Sequence, residues 1–319
     1  MRKKMSILLA VLMIIGLFAG AAAAKTFISI ATGGTGGTYY PLGGGIAEII
    51  SRNLPEFQVT SETGNASAAN LNLIGTHQIE MAFAQNDVAY WASKGMSPFK
   101  EKYDNIRVVA SLYPEHVQCI TIKGSGVEDI MDIKGKRVSV GAPGSGVLGD
   151  VTAILDVADQ VCRYEHRLPR FQQHDPALQG RTARWAWLVA GYPTSSIMDL
   201  STTHDISLVS FNDAFLDKLI DKYSFFIKDV IPAGTYKGVD KDVPTAAVMA
   251  MLVCDADLPE ETVYQFTKAL WDNIEELYKV HAKAKLITLK TGLNGASVPV
   301  HPGAAKYYKE QGMTVPVIK

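Results

Sequence analysis

The 319-residue sequence predicts an α/β protein, in which strands alternate with helices and gather their loops at one end of a sheet. Three observations lead there. A Gly-rich loop separates a short apolar run from a stretch with helical periodicity; the same arrangement returns about a hundred residues later; and two weaker copies lie elsewhere in the chain.

In the first unit, residues 27–31 read as a strand and Thr32-Gly-Gly-Thr-Gly-Gly-Thr38 as the loop. Tyr39, Tyr40 and Pro41 then open a helix whose apolar positions are Leu42, Ile46, Ile49 and Ile50. Pro41 suits a first helical turn, where its missing N–H costs nothing. A Gly-rich turn feeding a helix N-terminus bares backbone amides on the positive end of the helix dipole, a cradle for an anion or a polar group. Gly43, Gly44 and Gly45 sit inside this helix, each costing about 1 kcal/mol against Ala, and close packing of another backbone against that turn would account for them.

In the second unit, residues 137–141 read as the strand, 142–146 as the loop and 147–157 as the helix. The weaker copies are a strand at 79–84 that stops at Gln85, Asn86 and Asp87 before a helix at 88–93, and a strand at 187–190 that stops at 191–194 before a helix at 195–200. Four such units imply parallel pairing, with ligand groups gathered at the carboxyl ends of the strands. Residues 258–279 form an amphipathic helix, and its stripe of Val263, Phe266, Leu270, Ile274 and Leu277 reads as core.

Composition narrows the function. With 47% apolar and 20% charged residues the chain is neither disordered nor fibrous, and 31 basic against 32 acidic side chains leave no broad basic face for nucleic acid. Arg2, Lys3 and Lys4, the apolar run at 5–18 and Ala-rich sequence to Ala24 have the layout of a secretory signal cleaved after Ala24. The mature chain would then carry a net charge of −4 and work in the periplasm. Cys119 and Cys254 each lie in an apolar run and read as buried thiols; whether they pair stays open, and with Cys162 they are too scattered for a disulfide framework or a zinc site.

Enzyme signatures are missing. Tyr39 stands where a dinucleotide fingerprint needs its third Gly; no P-loop, no Gly-x-Ser-x-Gly elbow and no paired His at metal-ligand spacing occurs. No cofactor and no metal is expected. Recognition by neutral donors and helix ends remains, as in a binder.

The run Ile30-Ala-Thr-Gly-Gly-Thr-Gly-Gly-Thr-Tyr-Tyr-Pro-Leu-Gly43, with Thr63-Gly-Asn-Ala-Ser67, Met81-Ala-Phe-Ala-Gln-Asn-Asp87, Asp132-Ile-Lys-Gly-Lys-Arg-Val138 and Ala190-Gly-Tyr-Pro-Thr194, resembles the TAXI subclass of solute receptors. These serve tripartite ATP-independent periplasmic (TRAP) transporters. The resemblance implies a two-lobed type II periplasmic binding protein fold, each lobe a mixed sheet flanked by helices. Lobe 1 would comprise residues 25–115 and 255–319 and lobe 2 residues 116–254, with hinge strands at 117–122 and 246–253. It further implies a monomer that passes a small solute, glutamate, glutamine or a dicarboxylate such as 2-oxoglutarate, to ion-coupled membrane subunits. Carried onto this sequence, Gly36, Gly37, Thr38 and Tyr39 would hold a ligand carboxylate, beside Asn65, Gln85 and Asp87, with Asp87 as the partner for a ligand ammonium. Gly144, Ser145, Gly146, Tyr192, Pro193 and Thr194 would close from the opposite lobe. A periplasmic enzyme using the same loops on a small anion, and a receptor for a sensor kinase, are the alternatives.

The resemblance stops between about Asp156 and Leu188. Residues 157–187 carry two Pro, no Lys and five of the chain's nine Arg, and lose helical and strand periodicity beyond the first turn. A switch from Lys to Arg with loss of pattern is what translation in a shifted frame gives; a divergent insertion is the alternative. Two compensating frame errors, at roughly 155–160 and 180–188, would explain it. Resequencing the locus and translating both other frames should restore a helix-strand-helix pattern; if neither frame does, the stretch is genuine divergence.

Overall fold

The computed structural model describes residues 25–127, 130–133, 140–141, 144–158 and 185–318. The signal segment 1–24, most of the strand expected at 137–141, and residues 159–184 of the aberrant stretch lie outside the described residues.

In chain order the elements are β1 (Thr26–Ala31), α1 (Tyr39–Asn53), β2 (Phe57–Glu62), α2 (Ser67–Gly75), β3 (Met81–Gln85), α3 (Asn86–Lys94) and β4 (Ile106–Ile122). There follow α4 (Gly146–Val157), β5 (Trp185–Ala190), α5 (Ser195–Thr203), β6 (Ile206–Leu208), α6 (Asp213–Lys222), β7 (Ile227–Ile231) and β8 (Val243–Asp255). The chain closes with α7 (Glu260–Asp272), α8 (Ile274–Leu277) and α9 (Pro302–Glu310).

Among the described residues eight strands make one mixed sheet, whose main path runs β2-β1-β3-β8-β4-β5, with β7 added to β8 and β6 to β4. β1 pairs parallel to β2 and β3, as strand-loop-helix units require. The unit at 187–194 departs from expectation: β5 runs antiparallel to β4, Val117 opposite Val189 and Thr121 opposite Trp185. Trp185–Trp187, from the end of the aberrant stretch, therefore belong to a regular strand.

β4 and β8 run through the whole sheet. They pair antiparallel from Ile106 opposite Asp255 to His116 opposite Ala247, with register shifts between Val108 and Ala110 and between Ser111 and Pro114. The expected short hinge strands are thus parts of two long ones. Most of β4 is buried, which explains its near-continuous apolar sequence. At one end of the pair, β3 flanks the carboxyl half of β8; at the other, β7 flanks its amino half while β5 and β6 flank the carboxyl half of β4.

Four apolar clusters cover the two faces at the two ends. Around α1, α7 and α9 the core holds Leu42, Ile46, Phe83, Leu252, Phe266 and Tyr308, and on the opposite face Leu71, Val88, Trp91 and Val253 pack under α2 and α3. At the other end Cys119, Ile154, Trp187 and Phe211 form one cluster, and Ile120, Ile197, Ile206 and Tyr236 the other. The stripe expected over 258–279 is core, but the helix breaks at Asn273, whose φ of −119° interrupts the ladder between α7 and α8. Among the described residues no helix is long and apolar enough to cross a membrane. Cys119 and Cys254 lie in different clusters: Cys254 faces Arg107 across the ladder, twelve positions along β4 from Cys119. At about 3.3 Å per residue that distance far exceeds what a disulfide spans, and burial pushes both thiols up.

The three glycines of α1 divide. A Cβ at Gly43 would run into the Thr32 side chain, and one at Gly45 would stand 2.8 Å from Leu277 and 2.9 Å from Val280, whereas at Gly44 the nearest atom is Ser61 Oγ at 3.8 Å. The packing that requires glycine comes from side chains rather than from a second backbone. Gly43→Ala should therefore destabilise the fold by about 1–3 kcal/mol through overpacking, and Gly44→Ala should stabilise it by up to about 1 kcal/mol. Urea unfolding of both variants checks this; equal effects would refute it.

Candidate functional site

A cleft of about 660 Å³ opens where the loops after β1, β2 and β3 face α4 and the end of β5. Three helices start on its wall: α1 with Thr38 and Tyr39, α2 with Ala66 and Ser67, and α4 with Ser145, Gly146 and Val147. The first amides of a helix have no carbonyl four residues back, so each start offers donors and the positive end of a dipole. The amides of Thr38 and Tyr39 make no hydrogen bond among the described residues. Gly33, Gly34 and Gly37 bring the backbone itself to the wall, and Leu188, Val189 and Ala190 make the facing side apolar. Among the described residues no Lys or Arg lines the cleft, and Glu115 is its one carboxyl.

Local structure explains the positions. Ala66 caps α2 with φ +62° and ψ −150°, a conformation L side chains rarely adopt, and it turns the chain so that Asn65 stands exposed on the wall. The Asn65 side chain makes no hydrogen bond with the described protein. Behind the wall Asn70 Nδ2 bonds the carbonyls of Thr32 and Phe83, each at 2.8 Å, tying the ends of β1 and β3 together. Gln85 lines the cleft with both ends of its amide occupied: Oε1 accepts from Ser67 Oγ at 3.2 Å and Nε2 donates to Asp150 Oδ2 at 2.9 Å. Gly146 has no room for a Cβ because the Gln85 amide fills that space.

Of the residues expected at a site, Gly37, Thr38, Tyr39, Asn65, Gln85, Ser145 and Gly146 meet on the cleft wall. The others do not line it, for identifiable reasons. Gly36 and Gly144 face away and offer their carbonyls to the amides of Ser196 and Ala69, at 3.3 and 3.0 Å. Thr194 is buried under β5, where its hydroxyl accepts from Gln118 Nε2 and donates to the Gly191 carbonyl. Tyr192, joined to Pro193 by a cis peptide, packs its ring edge-on against His116 at 4.6 Å and carries the Lys283 ammonium on its face at 3.3 Å. Asp87 is fully buried beneath the floor beside Asp150, so it does not reach a ligand ammonium. Burial raises Asp87 to about 6 and Asp150 well above its ordinary value, Asp87 adding to the latter shift.

Glu115 was not singled out by sequence. It is 2% exposed, its Oε2 accepts a 2.7 Å hydrogen bond from Tyr39 OH, and no other hydrogen bond reaches its carboxyl from the described residues. Burial raises it to about 8; the Tyr39 hydrogen bond and Lys283 work against that rise, and the negative charge of Asp87 adds to it. Lys283 is itself lowered to about 8 by burial, against the pull of Asp229 and Glu115. A charged residue in the middle of the apolar run 106–122 was the available signal. Away from the cleft, His77, Asp255 and Asp257 gather within 4.8 Å, with His77 Nδ1 2.6 Å from Asp255 Oδ2. This cluster joins the end of β8 to the α2–β3 turn.

The cleft and sheet have the architecture of type II periplasmic binding proteins. The model of the NMT1-like family matches residues 30–312, and the chain belongs to that family. Among solved structures, the chain is similar to MatC from Rhodopseudomonas palustris with bound malate: 11% identity, TM-score 0.54, covering 81% of this chain and 88% of that one. A structure described as a periplasmic transporter is 11% identical, with a TM-score of 0.52 over 91% and 93% of the two chains. A protein of Bordetella bronchiseptica RB50 is 16% identical, with a TM-score of 0.51 over 93% and 92%.

The raised Glu115 makes stability depend on pH with a definite sign. A carboxyl raised from 4.5 to about 8 on folding contributes stability at low pH and loses it as pH climbs through that window. The wild type should therefore lose stability relative to Glu115→Gln between pH of about 5 and 8, by up to about 1.4 kcal/mol per pH unit. Urea unfolding across that range measures the difference, and parallel curves for the two proteins would contradict it.

Proposed function

We propose that this protein is an extracytoplasmic solute receptor that captures a small amino acid or dicarboxylate, glutamate-like or 2-oxoglutarate-like, between two lobes. The lobes are residues 25–115 with 255–319, and 116–254, and the chain acts as a monomer that delivers its solute to TRAP membrane subunits after removal of the signal at 1–24. The observation that carries this reading is the convergence of three helix N-termini on one cleft, with no cationic side chain among its described lining residues. Such a wall recognises a carboxylate through backbone donors and dipoles. Gly37, Thr38, Tyr39, Ser67 and Gly146 are the proposed carboxylate contacts, and Asn65 supplies a side-chain amide. The malate named with the MatC structure is in keeping with a small carboxylate. Membership of the NMT1-like family and a cleft built for binding favour a receptor over an enzyme.

Thermal unfolding with glutamate, glutamine, 2-oxoglutarate and malate in turn tests the reading. A true solute at a hundred times its Kd stabilises the fold by about 2.7 kcal/mol without being consumed. Turnover of any of them would overturn the receptor assignment. Genes for large and small membrane subunits beside this one would support transport over sensing.

A further inference from the structure

The cleft is electrically polar, and its polarity selects a ligand class. The N-termini of α1 and α2 stand on one wall and that of α4 on the facing one. On β4 stands Glu115, with Asp87 on α3 and Asp150 on α4 buried nearby and the charge of Asp87 acting on it. Resting on the receptor reading above, we propose that Glu115 is the residue that binds a ligand ammonium, so that the receptor selects small zwitterionic amino acids over dicarboxylates that lack an amine.

Hydrogen-bond direction supports this. Tyr39 OH donates to Oε2, which casts Glu115 as an acceptor, and the second carboxylate oxygen has no donor among the described residues while Glu115 lines the cleft. A buried carboxylate left without a donor is costly, and an ammonium provides both the donor and the opposite charge. Among the described residues, each charged neighbour has another engagement or the wrong sign. The Lys283 ammonium sits on the Tyr192 ring and forms no ion pair within 4 Å among the described residues. His116 turns to Asp229 at 2.9 Å, Tyr113 OH is buried with no partner among the described residues, and the charge of Asp87 works against a second ligand carboxylate. Sequence reasoning gave the ammonium to Asp87, which is buried below the wall; Glu115 is the carboxyl on the wall itself.

Binding an ammonium favours the carboxylate form of Glu115, which is held to about 8 in the unliganded protein. An amino acid should therefore displace a proton at neutral pH, whereas a dicarboxylate would retain it as a donor. Calorimetry of the mature chain at neutral pH, in phosphate and in Tris, with L-glutamate, L-glutamine and 2-oxoglutarate reads this directly. The expected result is proton release on binding the amino acid, affinity for it at least about tenfold above that for 2-oxoglutarate, and loss of both in Glu115→Gln. Tighter binding of 2-oxoglutarate without proton release overturns the proposal and leaves the receptor reading standing; binding of none of the three counts against both. Should Glu115→Gln not fold, Tyr39→Phe serves: removing the donor to Oε2 should move the pH midpoint of amino-acid binding upward, and an unmoved midpoint counts against Glu115.

Discussion

The antiparallel pairing of β4 with β8 is the constraint on which the rest of the molecule depends. Both strands pass through both ends of the sheet, so each end borrows its central strands from the same two stretches of chain. Where they cross from one end to the other the ladder slips twice, and Pro114 has no amide to give it. Hydrogen bonds that also join the two ends around the cleft include Thr38 Oγ1 to the Gly191 carbonyl, the Ser196 amide to Gly36, the Ala69 amide to Gly144 and Gln85 to Asp150, beside the Lys283 ammonium on the Tyr192 ring and the Trp91–Phe225 ring contact. Each hydrogen bond is worth about 0.5–1.5 kcal/mol net. On the proposed division into two lobes, a continuous but irregular pair of strands bridged by such contacts would let the lobes part without unfolding.

The same crossing carries the buried charge. Glu115 and His116 are successive residues whose side chains lie on opposite faces of β4, the first lined up with the cleft and the second with Asp229 and Tyr192. Three carboxyls, Glu115, Asp87 and Asp150, are buried near one another, with Tyr39 donating to Glu115 and Gln85 to Asp150. Apolar replacements would lower that desolvation cost. Violations of polar satisfaction gather at functional sites rather than at random, and here they border the cleft formed by the helix N-termini.

How much of this was legible in the sequence follows from what is local. Gly-rich loops that end strands and start helices are local patterns, and they located β1–α1, β3–α3 and the starts of α4 and α5, along with Thr38, Tyr39, Gln85 and Gly146 on the cleft wall. Pairing direction is not local: the strand before Tyr192 has the same look as the one before Tyr39 yet pairs antiparallel to its neighbour. Depth is not local either. Asp87 lies two residues from Gln85, but as a residue of the first turn of α3 it packs beneath the loop that Gln85 faces. Ser67, Glu115 and Leu188 reach the cleft from three separate elements, and their meeting depends on the β4–β8 register. The unbroken span of β4 exceeds the hinge strand expected at 117–122, and Pro114, Glu115 and His116 just before that run prove to be the crossing itself.

On the receptor reading, the division of the wall between the two ends of the sheet sets how binding and closure are coupled. The donors of α1 and α2 belong to one end, and α4 with Leu188–Ala190 to the other, so a solute touches its full set of partners only when the two are together. A ligand shifts an opening equilibrium by no more than its differential affinity for the two states. Thr38 and Tyr39 can engage a carboxylate in either state, while Gly146 and Val147 can do so only in the closed one. The closing free energy therefore resides in the α4 end of the wall. Glu115, on the strand common to both ends, stays with the solute through the motion, and the choice of ligand class is separated from the act of closing.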